Sequence, residues 1–404
     1  MRIPLNVFVS HPLQPLELCC VWLMLATPSG LLAGPIQDAI DAAPSGSVVA
    51  VPEGIFYENL IVDKDLTLQG AGRDLSVLDG QRLRNIVFIT TNHTVALRDL
   101  SFQNFSFTRR GFGDPNARPG AISSDGSLNM SNCLVNGWVG AGGAGGFQFG
   151  GGVNSSGPLT LVNCIVTHQK DEFGGGGAIR CVASLFMSGC VVTNNELSDA
   201  TWGAALYSSA ATVITNCVFA RNYPRGGGTL VFNGGTNVVR IDRTQVRDNG
   251  GEREGNGLPG IVNYGVLEMS DSLVSGHFSE QDAAFVNYGT AALKNCTVSD
   301  NTSKDQLIAT CAGIRNQGTL RLDSVTIVSN QVFNLAGSAD RAGGGGLRNQ
   351  TPGVLHLRNC LVGQNHIYNS HGAIAYPGQD ILGTVISEGY NFISNTNDCL
   401  LGLP

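Results

Sequence analysis

A short segment recurs along this chain about every 28 residues, and no other feature constrains the fold as much. From residue 120 onward the units include GAIRCVASLFMSGCVV, GIVNYGVLEMSDSLV and AGIRNQGTLRLDSVTI. One register position can be followed through Leu100, Cys133, Cys164, Cys190, Cys217, Thr244, Ser272, Cys296, Ser324 and Cys360. Repeats of this length are typical of solenoids, in which each unit packs only on its neighbours. We therefore expect a stack of similar coils.

Each unit contains three short patterns that favour strands. In the unit that begins at Ala312, apolar residues alternate with polar ones at Ile314, Leu320, Leu322 and Ile327. An alternation of period two predicts strands that bury one face, and Val, Ile, Thr and Gly dominate the units. Helical hairpin repeats are excluded, because no period of 3.6 residues persists. Three strands per coil, paired in parallel with the next coil about 4.8 Å away, predict an all-β solenoid.

The first ordered segment predicts a cap for this solenoid. Ile36, Ala39, Ile40 and Ala43 share one face of a short amphipathic helix, and Pro44–Gly46 ends it. A helix at this place would cover the unpaired edge of the first coil. The patterns IQDAIDAA, GSVVAVPEGIFYE and KDLTLQG then resemble the opening of the pectin-lyase-like superfamily. That resemblance implies a right-handed three-sheet parallel β-helix with a short N-terminal capping helix.

Composition and the apolar segments bear on location and partners. Only 14% of the residues are charged and the net charge is −7, which gives no electrostatic footprint for nucleic acid. Leu18–Ala26 is the one strongly apolar run, too short to span a bilayer but suited to a signal peptide. We predict a leader over 1–34, with a misassigned start codon or a disordered leader as the alternative. Residues 35–404 are expected to form a single β-helix domain of about ten to twelve coils, and a truncated reading frame at its C-terminal end is left open.

Polar residues at fixed turns predict architecture. The turn between the second and third strands is predicted to carry a structural ladder of stacked short side chains: Asn132, Asn163, Asn216, Asp271, Asn295, Asp323 and Asn359. An asparagine ladder at the second turn is also characteristic of the resembled family. The first turns, Asn263–Gly265 and Asn287–Gly289, are predicted to use glycine at positive φ. The in-register cysteines are interpreted as small buried hydrophobes, because the odd cysteine count and missing alternation argue against disulfides.

The first sheet is where the resemblance places a ligand cleft, together with the long third-turn loops. The outward row is predicted to form a candidate ligand-facing groove with Arg180, Leu206, Val231, Val262, Val286, Arg315 and Arg348. It contains no carboxylate, whereas glycoside hydrolysis needs a carboxylate pair and calcium needs several carboxylate oxygens. The apolar stripe from Leu206 to Val286 is either covered by loops or a docking groove for a partner. We therefore predict no catalytic, cofactor-binding or metal-binding residue.

Two functional hypotheses stay open. The Gly-Gly-x-x-Asn repeats of the C-terminal half are similar to polymorphic outer-membrane-protein repeats, and the tail resembles choice-of-anchor surface proteins. This implies a secreted or cell-surface, extracytoplasmic protein with a structural, adhesive or carbohydrate-contacting role. We expect a monomeric rod that is not a transmembrane protein and contacts a polysaccharide or a surface or matrix protein. The alternative is a polysaccharide lyase, hydrolase or epimerase with acids in the third-turn loops, such as Asp171, Glu252 and Asp305; only then is calcium expected as a cofactor.

Overall fold

The computed structural model describes thirteen stretches of the chain. They are residues 34–82, 85–105, 120–139, 151–171, 177–197, 203–224, 227–250, 260–279, 284–305, 311–334, 343–368, 379–397 and 399–402. The predicted leader over 1–34 therefore lies outside the described residues except for Gly34, and it remains a prediction. Gly34–Pro404 forms one compact unit.

Three long parallel sheets make up most of this unit, as the repeat predicts. The first sheet contains Leu60–Val62, Val87–Ile89, Ile122–Ser124, Val153–Ser155, Ile179–Cys181, Leu206–Ser208, Leu230–Phe232, Ile261–Asn263, Phe285–Asn287, Ile314–Asn316 and Leu347–Asn349. The second contains Ser47–Val51, Leu66–Gly70, Thr94–Arg98, Ser127–Ser131, Leu159–Val162, Leu185–Ser188, Thr212–Thr215, Val238–Asp242, Val266–Ser270, Thr290–Lys294, Thr319–Asp323, Val354–Arg358 and Cys399–Gly402, and Ile381–Ser387 pairs with both sheets. The third contains Gly54–Phe56, Ser76–Asp79, Ser101–Phe105, Leu134–Val139, Ile165–Asp171, Val191–Thr193, Val218–Ala220, Gln245–Arg247, Leu273–Ser275, Thr297–Ser299, Thr326–Val328, Leu361–Gly363 and Phe392–Ile393. The prediction of a three-sheet parallel β-helix is confirmed.

Several coils carry a fourth short strand that the sequence patterns did not predict. These strands are Glu196–Leu197, Tyr223–Pro224, Phe278–Ser279, Thr302–Asp305, Gln331–Asn334 and His366–Tyr368. Each follows the third-sheet strand of its coil after a sharp bend at a residue with positive φ, for example Asp300 and Ser329. The coil therefore turns once more before it returns to the first sheet. The last four of these strands pair in parallel with one another and form a small fourth sheet.

The capping helix is Pro35–Ala42, and its contacts show how it closes the first coil. Ile36 and Ile40 are buried in the common core. The Glu58 carboxylate accepts hydrogen bonds from the backbone N–H groups of Ile36 and Gln37 at the positive end of the helix dipole. At the other end, Lys64 Nζ donates to the carbonyls of Ile40, Asp41 and Ala43.

Gln37 also protects the exposed strand edge directly. Its amide oxygen accepts from the Ile61 N–H at 2.8 Å, and its amide nitrogen donates to the Ile61 carbonyl at 3.1 Å. One side chain thus replaces the missing neighbouring strand at this residue. The predicted role of the helix as a cap is confirmed.

The bend between the second and third sheets holds most of the predicted ladder. Asn132, Asn163, Asn216, Asp271, Asn295 and Asn359 all have φ between 48° and 53°, a left-handed conformation that Asn and Asp tolerate best. Some are hydrogen-bonded between coils, as from Asn295 Nδ2 to Asp271 Oδ1 at 3.1 Å. The ladder position of Asp323 was wrong by one residue.

Ser324, with φ 59°, occupies the bend, and Asp323 ends the preceding strand, where it pairs with Arg358. The predicted cysteine register is wrong by one residue in the same coil. Val325, and not Ser324, lies next to Cys296 and Cys360. Val325 fills the buried position that a small residue fills elsewhere. The described cysteines are free, and all except Cys399 are buried, in agreement with their interpretation as small hydrophobes.

A buried asparagine ladder in two runs lies at the next bend, between the third-sheet strand and the fourth strand. Asn195 Nδ2 donates to Asn222 Oδ1 at 2.8 Å, and Asn222 Nδ2 donates to Asn249 Oδ1 at 3.0 Å. Further along, the same link joins Asn301, Asn330, Asn365 and the carboxylate of Asp380, at 2.8–2.9 Å. All of these side chains are buried. His277 occupies the rung between the two runs.

Candidate functional site

The outward column of the first sheet is defined by strand pairing. It runs through Ser123, Asn154, Arg180, Tyr207, Val231, Val262, Val286, Arg315 and Arg348. Arg180, the three valines, Arg315 and Arg348 therefore share one column. For the three arginines, a role in a ligand-facing groove remains a prediction.

Leu206 was placed on the wrong face. It pairs with Ile179 and Leu230, both in the core, and it is fully buried. An additional residue, Ala204, lies between Gly203 and the strand in this coil, so the register moves by one. The outward side chain is that of Tyr207, whose polar hydroxyl would be costly to bury in the core.

The apolar stripe is not exposed. The exposed fractions are 1% for Val231, 2% for Val262 and 1% for Val286. Tyr207, Val231 and Val262 form a small apolar cluster of their own, against which Val182 packs. The hypothesis of an open apolar docking groove at these residues is therefore wrong, because the groove offers no apolar surface to a partner.

The two ends of the column differ in their surroundings. Arg180 is partly buried and its Nη1 donates to Asn154 Oδ1 at 3.2 Å, while burial lowers its pKa. Arg315 reaches sideways to the first turn, where its Nη2 donates to the Tyr288 hydroxyl at 2.6 Å. At the Arg180 end, the column is therefore partly buried. At the Arg315 end, it reaches the surface of the first turn.

That surface is a stack of rings. Tyr264 and Tyr288, on successive coils, are parallel within 5° with their centroids 4.9 Å apart. The guanidinium carbon of Arg315, from the next coil, lies 5.3 Å from the centroid of Tyr288. Such stacking and cation–π contacts hold the three side chains in one arrangement. We call Tyr264, Tyr288 and Arg315 the Tyr–Tyr–Arg column.

The residues beneath the column explain why it is ordered. Asn263, Asn287, Asn316 and Asn349 form a second asparagine ladder, with each Nδ2 donating to the next Oδ1 at 2.8 Å. Each tyrosine directly follows one of these fixed asparagines. The ladder therefore sets the position of the tyrosines from coil to coil.

Glycines complete the turn, but not in the predicted way. Gly265, Gly289 and Gly318 are absent from the residues with positive φ. A Cβ at Gly289 would instead overlap the carbonyl oxygen of Gly265, and a Cβ at Gly318 would overlap that of Gly289. Only glycine lets successive first turns stack this closely.

The exposed chemistry of the column is mixed. Tyr264 and Tyr288 remain 44% and 38% exposed, so the ring edges and hydroxyls are accessible. Burial, followed by the neighbouring Tyr288, raises the pKa of Tyr264, so its phenol stays protonated and can donate a hydrogen bond. The next two coils continue the column with Gln317 and Gln350, whose side chains are 2.6 Å apart.

The other predicted groups give no described site. The loop acids of the enzymatic alternative, from Asp171 to Asp305, have side chains outside the described residues. Among the residues that are described, no cluster of three His, Cys, Asp or Glu side chains has the geometry to hold a metal ion. Within the same part of the chain, none of the helices has the length and apolar character needed to cross a membrane.

The comparison with protein families agrees with the fold. A family model described as a right-handed β-helix region matches residues 85–273. A search of curated proteins finds no match. Among solved structures, the A-module of the mannuronan C-5 epimerase AlgE4 from Azotobacter vinelandii is 14% identical, with a TM-score of 0.44, over 91% of this chain and 94% of that one.

Two further structures are similar at comparable identity, one of them with a lower TM-score. The Dettilon tailspike protein gp208 is 12% identical, with a TM-score of 0.44, over 91% of this chain and 64% of that one. A mannuronic acid-specific family 6 polysaccharide lyase from human gut microbiota is 12% identical, with a TM-score of 0.32, over 91% of this chain and 78% of that one. At these identities and TM-scores, no activity is transferred to this chain.

Proposed function

We propose that this chain, a right-handed parallel β-helix, contacts glycans without cleaving them, and that the Tyr–Tyr–Arg column is its contact surface. The observation that supports this most is the stack of Tyr264, Tyr288 and Arg315 on three successive coils. Aromatic rings with a polar end and a nearby cation suit ligands that present both apolar C–H faces and hydroxyl or acidic groups. Sugars have this combination.

The order of the column favours binding. Its backbone is held by the buried ladder of Asn263, Asn287 and Asn316, and its rings hold one another. Side chains that are already fixed lose little conformational entropy when a ligand binds. A flexible glycan can therefore be bound by a surface that does not itself have to become ordered.

The spacing favours an extended polymer. The column offers one polar group per coil, and coils lie about 4.8 Å apart. An extended glycan that runs along the stack of coils presents successive sugars at a similar repeat. Arg315 supplies a positive charge within this column, so a glycan with carboxylate or sulfate groups is the preferred ligand.

Contact rather than cleavage is supported by the first-sheet column. Within the described strands, its outward positions from Ser123 to Arg348 contain no Asp or Glu. Hydrolysis of a glycosidic bond needs two suitably spaced carboxyl groups. The proposed function therefore requires no catalytic residue and no metal ion.

The proposed setting follows from the proposed ligand. Extended acidic glycans surround cells, so the protein is proposed to be secreted or held at a cell surface. The leader predicted over 1–34 agrees with this location. Each chain is proposed to act as a monomer, with a polysaccharide rather than a nucleic acid as its partner.

A binding comparison tests the proposal. Wild-type protein and the double variant Tyr264→Ala/Tyr288→Ala are titrated with uronic-acid and sulfated polymers by calorimetry, and Tyr57→Ala serves as the control. Tyr57 is an exposed tyrosine near the N-terminal cap and outside the column. Loss of two ring contacts of roughly 1 kcal/mol each predicts that affinity falls by at least tenfold in the double variant.

The fate of the polymer is measured in the same samples. Unsaturated products and new reducing ends are followed over hours, and the proposed function predicts that the polymer is recovered intact. Equal binding by the three proteins would rule out the column as the contact surface. Product formation that depends on the protein would instead favour the lyase or hydrolase alternative.

A further inference from the structure

We infer that the fourth sheet carries a second glycan-contacting surface, so that one chain binds two acidic glycan segments and links them. This inference rests on the proposed function and adds a site and an activity to it. The surface consists of Lys304, Phe333, Tyr368 and His366, and we call it the fourth-sheet aromatic surface. Strand pairing places Lys304, Phe333 and Tyr368 in one column on three successive coils.

The surface repeats the arrangement of the Tyr–Tyr–Arg column. Phe333 and Tyr368 are stacked with centroids 4.9 Å apart and planes within 18°. Lys304, an exposed cation, lies one coil before Phe333, and the His366 ring lies 5.8 Å from that of Tyr368. Both surfaces thus combine two stacked rings with a cation on an adjacent coil.

The backbone under this surface is also fixed. The alternate residues Ser303, Val332 and Ile367 point inward and are buried. Asn330 and Asn365 belong to the buried asparagine ladder, and each lies at the end of the bend that leads into one of these strands. The aromatic pair is therefore held in place before any ligand binds, as in the first column.

Charge indicates which ligand fits. The chain has a net charge of −7 and four lysines, and one of these, Lys304, lies beside the exposed part of the aromatic pair. A cation next to stacked rings favours an acidic sugar over a neutral one, because the charge pairs with the acid while the exposed ring edges contact the sugar C–H groups.

The two surfaces occupy different corners of the coil. From Tyr288, the chain passes through the second-sheet strand Thr290–Lys294 and the third-sheet strand Thr297–Ser299 before it reaches Thr302–Asp305. A straight glycan along one corner therefore does not cover the other. Two sites on one rigid unit make the protein a cross-linker, since each site holds its own segment.

Stoichiometry and bridging test this inference. Short acidic oligosaccharides are titrated into wild-type protein, Phe333→Ala/Tyr368→Ala and Lys304→Glu, with Lys294→Glu as the matched control on the second sheet. Lys304→Glu changes only an exposed side chain, so it tests the site even if the aromatic variant folds poorly. Bridging is followed as the turbidity and viscosity of the long polymer.

The expected results separate the two claims. Wild-type protein and Lys294→Glu bind two oligosaccharides and cross-link the polymer, whereas Lys304→Glu binds one and loses bridging. One binding site in wild-type protein that is lost in Tyr264→Ala/Tyr288→Ala overturns the second site and leaves the proposed function intact. Unchanged binding in the variants of both surfaces overturns both.

Discussion

Replacement of His277 by Asn is expected to remove a specific sensitivity of this fold to acid. His277 occupies one rung of the buried asparagine ladder and is fully buried. Its Nε2 lies 3.0 Å from the Val246 carbonyl and therefore carries the proton, while its buried Nδ1 has no hydrogen-bond partner. An Asn at this position can offer Asn249 the side-chain oxygen that the other rungs provide.

The size of the effect follows from the pKa of His277. Burial lowers this pKa from 6.5 to about 4, and the backbone groups of Val246 and Asn249, followed by the charge of Asp248, offset only part of the shift. The unfolded chain therefore takes up a proton between about pH 6.5 and pH 4 that the folded chain refuses, so stability falls as pH falls through this window. Between pH 7.5 and pH 4.5 this one residue accounts for about 2.5 kcal/mol of lost stability.

The assay compares two differences. Urea unfolding gives the stability of wild type and His277→Asn at pH 7.5 and at pH 4.5, and His168→Asn removes an exposed histidine as a control. Loss of imidazole packing changes the stability of the variant equally at both pH values, so it cancels. The free energy of unfolding of His277→Asn, relative to that of wild type, should be higher at pH 4.5 than at pH 7.5 by about 2.5 kcal/mol.

If the difference in the free energy of unfolding between His277→Asn and wild type is the same at both pH values, the reasoning is refuted. It would mean that His277 takes up its proton in the folded state as easily as in the unfolded state. The interpretation of His277 as a buried, neutral member of the ladder would then be wrong. The same change in His168→Asn would show that the effect is not specific to the ladder.

Three further predictions concern the packing of the coils. Asn222→Ala leaves several buried ladder partners without hydrogen bonds, so urea unfolding should show a loss of stability of roughly 3 kcal/mol or more. Asn216→Ala, at an exposed bend, should lose about 1 kcal/mol. Comparable losses would contradict the buried ladder. Burial raises the pKa of the Cys296 thiol to about 11, so an aromatic disulfide reagent should label it only on unfolding, and rapid labelling of the native protein would contradict its burial. Gly289→Ala forces a Cβ into the preceding coil and should lower the melting temperature, whereas Gly363→Ala, which meets only the Ser394 side chain, should change it little; equal effects would contradict the close stacking of the first turns.

Much of the architecture could be predicted from the sequence, because stacking imposes one apolar pattern on every coil. The helix at Ile36–Ile40 and the strand alternation around Ile314 have clear periodicity, and both are confirmed. The errors at Leu206 and Asp323 have different causes. Leu206 follows an additional turn residue, which a strand of three residues has too few alternations to reveal. Asp323 ends the five-residue strand Thr319–Asp323, and it was assigned to the bend because Asp is a common turn residue.

The candidate site was harder to predict. Asn195, Asn222 and Asn249 recur at 27-residue intervals, which was a usable signal for the buried ladder. The sequence does not show which polar turn residues are buried, and the more exposed bend has almost the same composition. The sequence places Tyr264 and Tyr288 at equivalent first turns, but it does not show that their rings stack or that Arg315 reaches them.

Hydrogen exchange with and without a saturating acidic glycan tests the central claim most directly. The glycan should slow exchange at the first-turn amides of 263–265 and 287–289, because these turns carry the Tyr–Tyr–Arg column. This protection should disappear in Tyr264→Ala/Tyr288→Ala at the same glycan concentration. Protection confined to the outward first-sheet residues between Ser123 and Val286, with none at the first turns, would contradict the account.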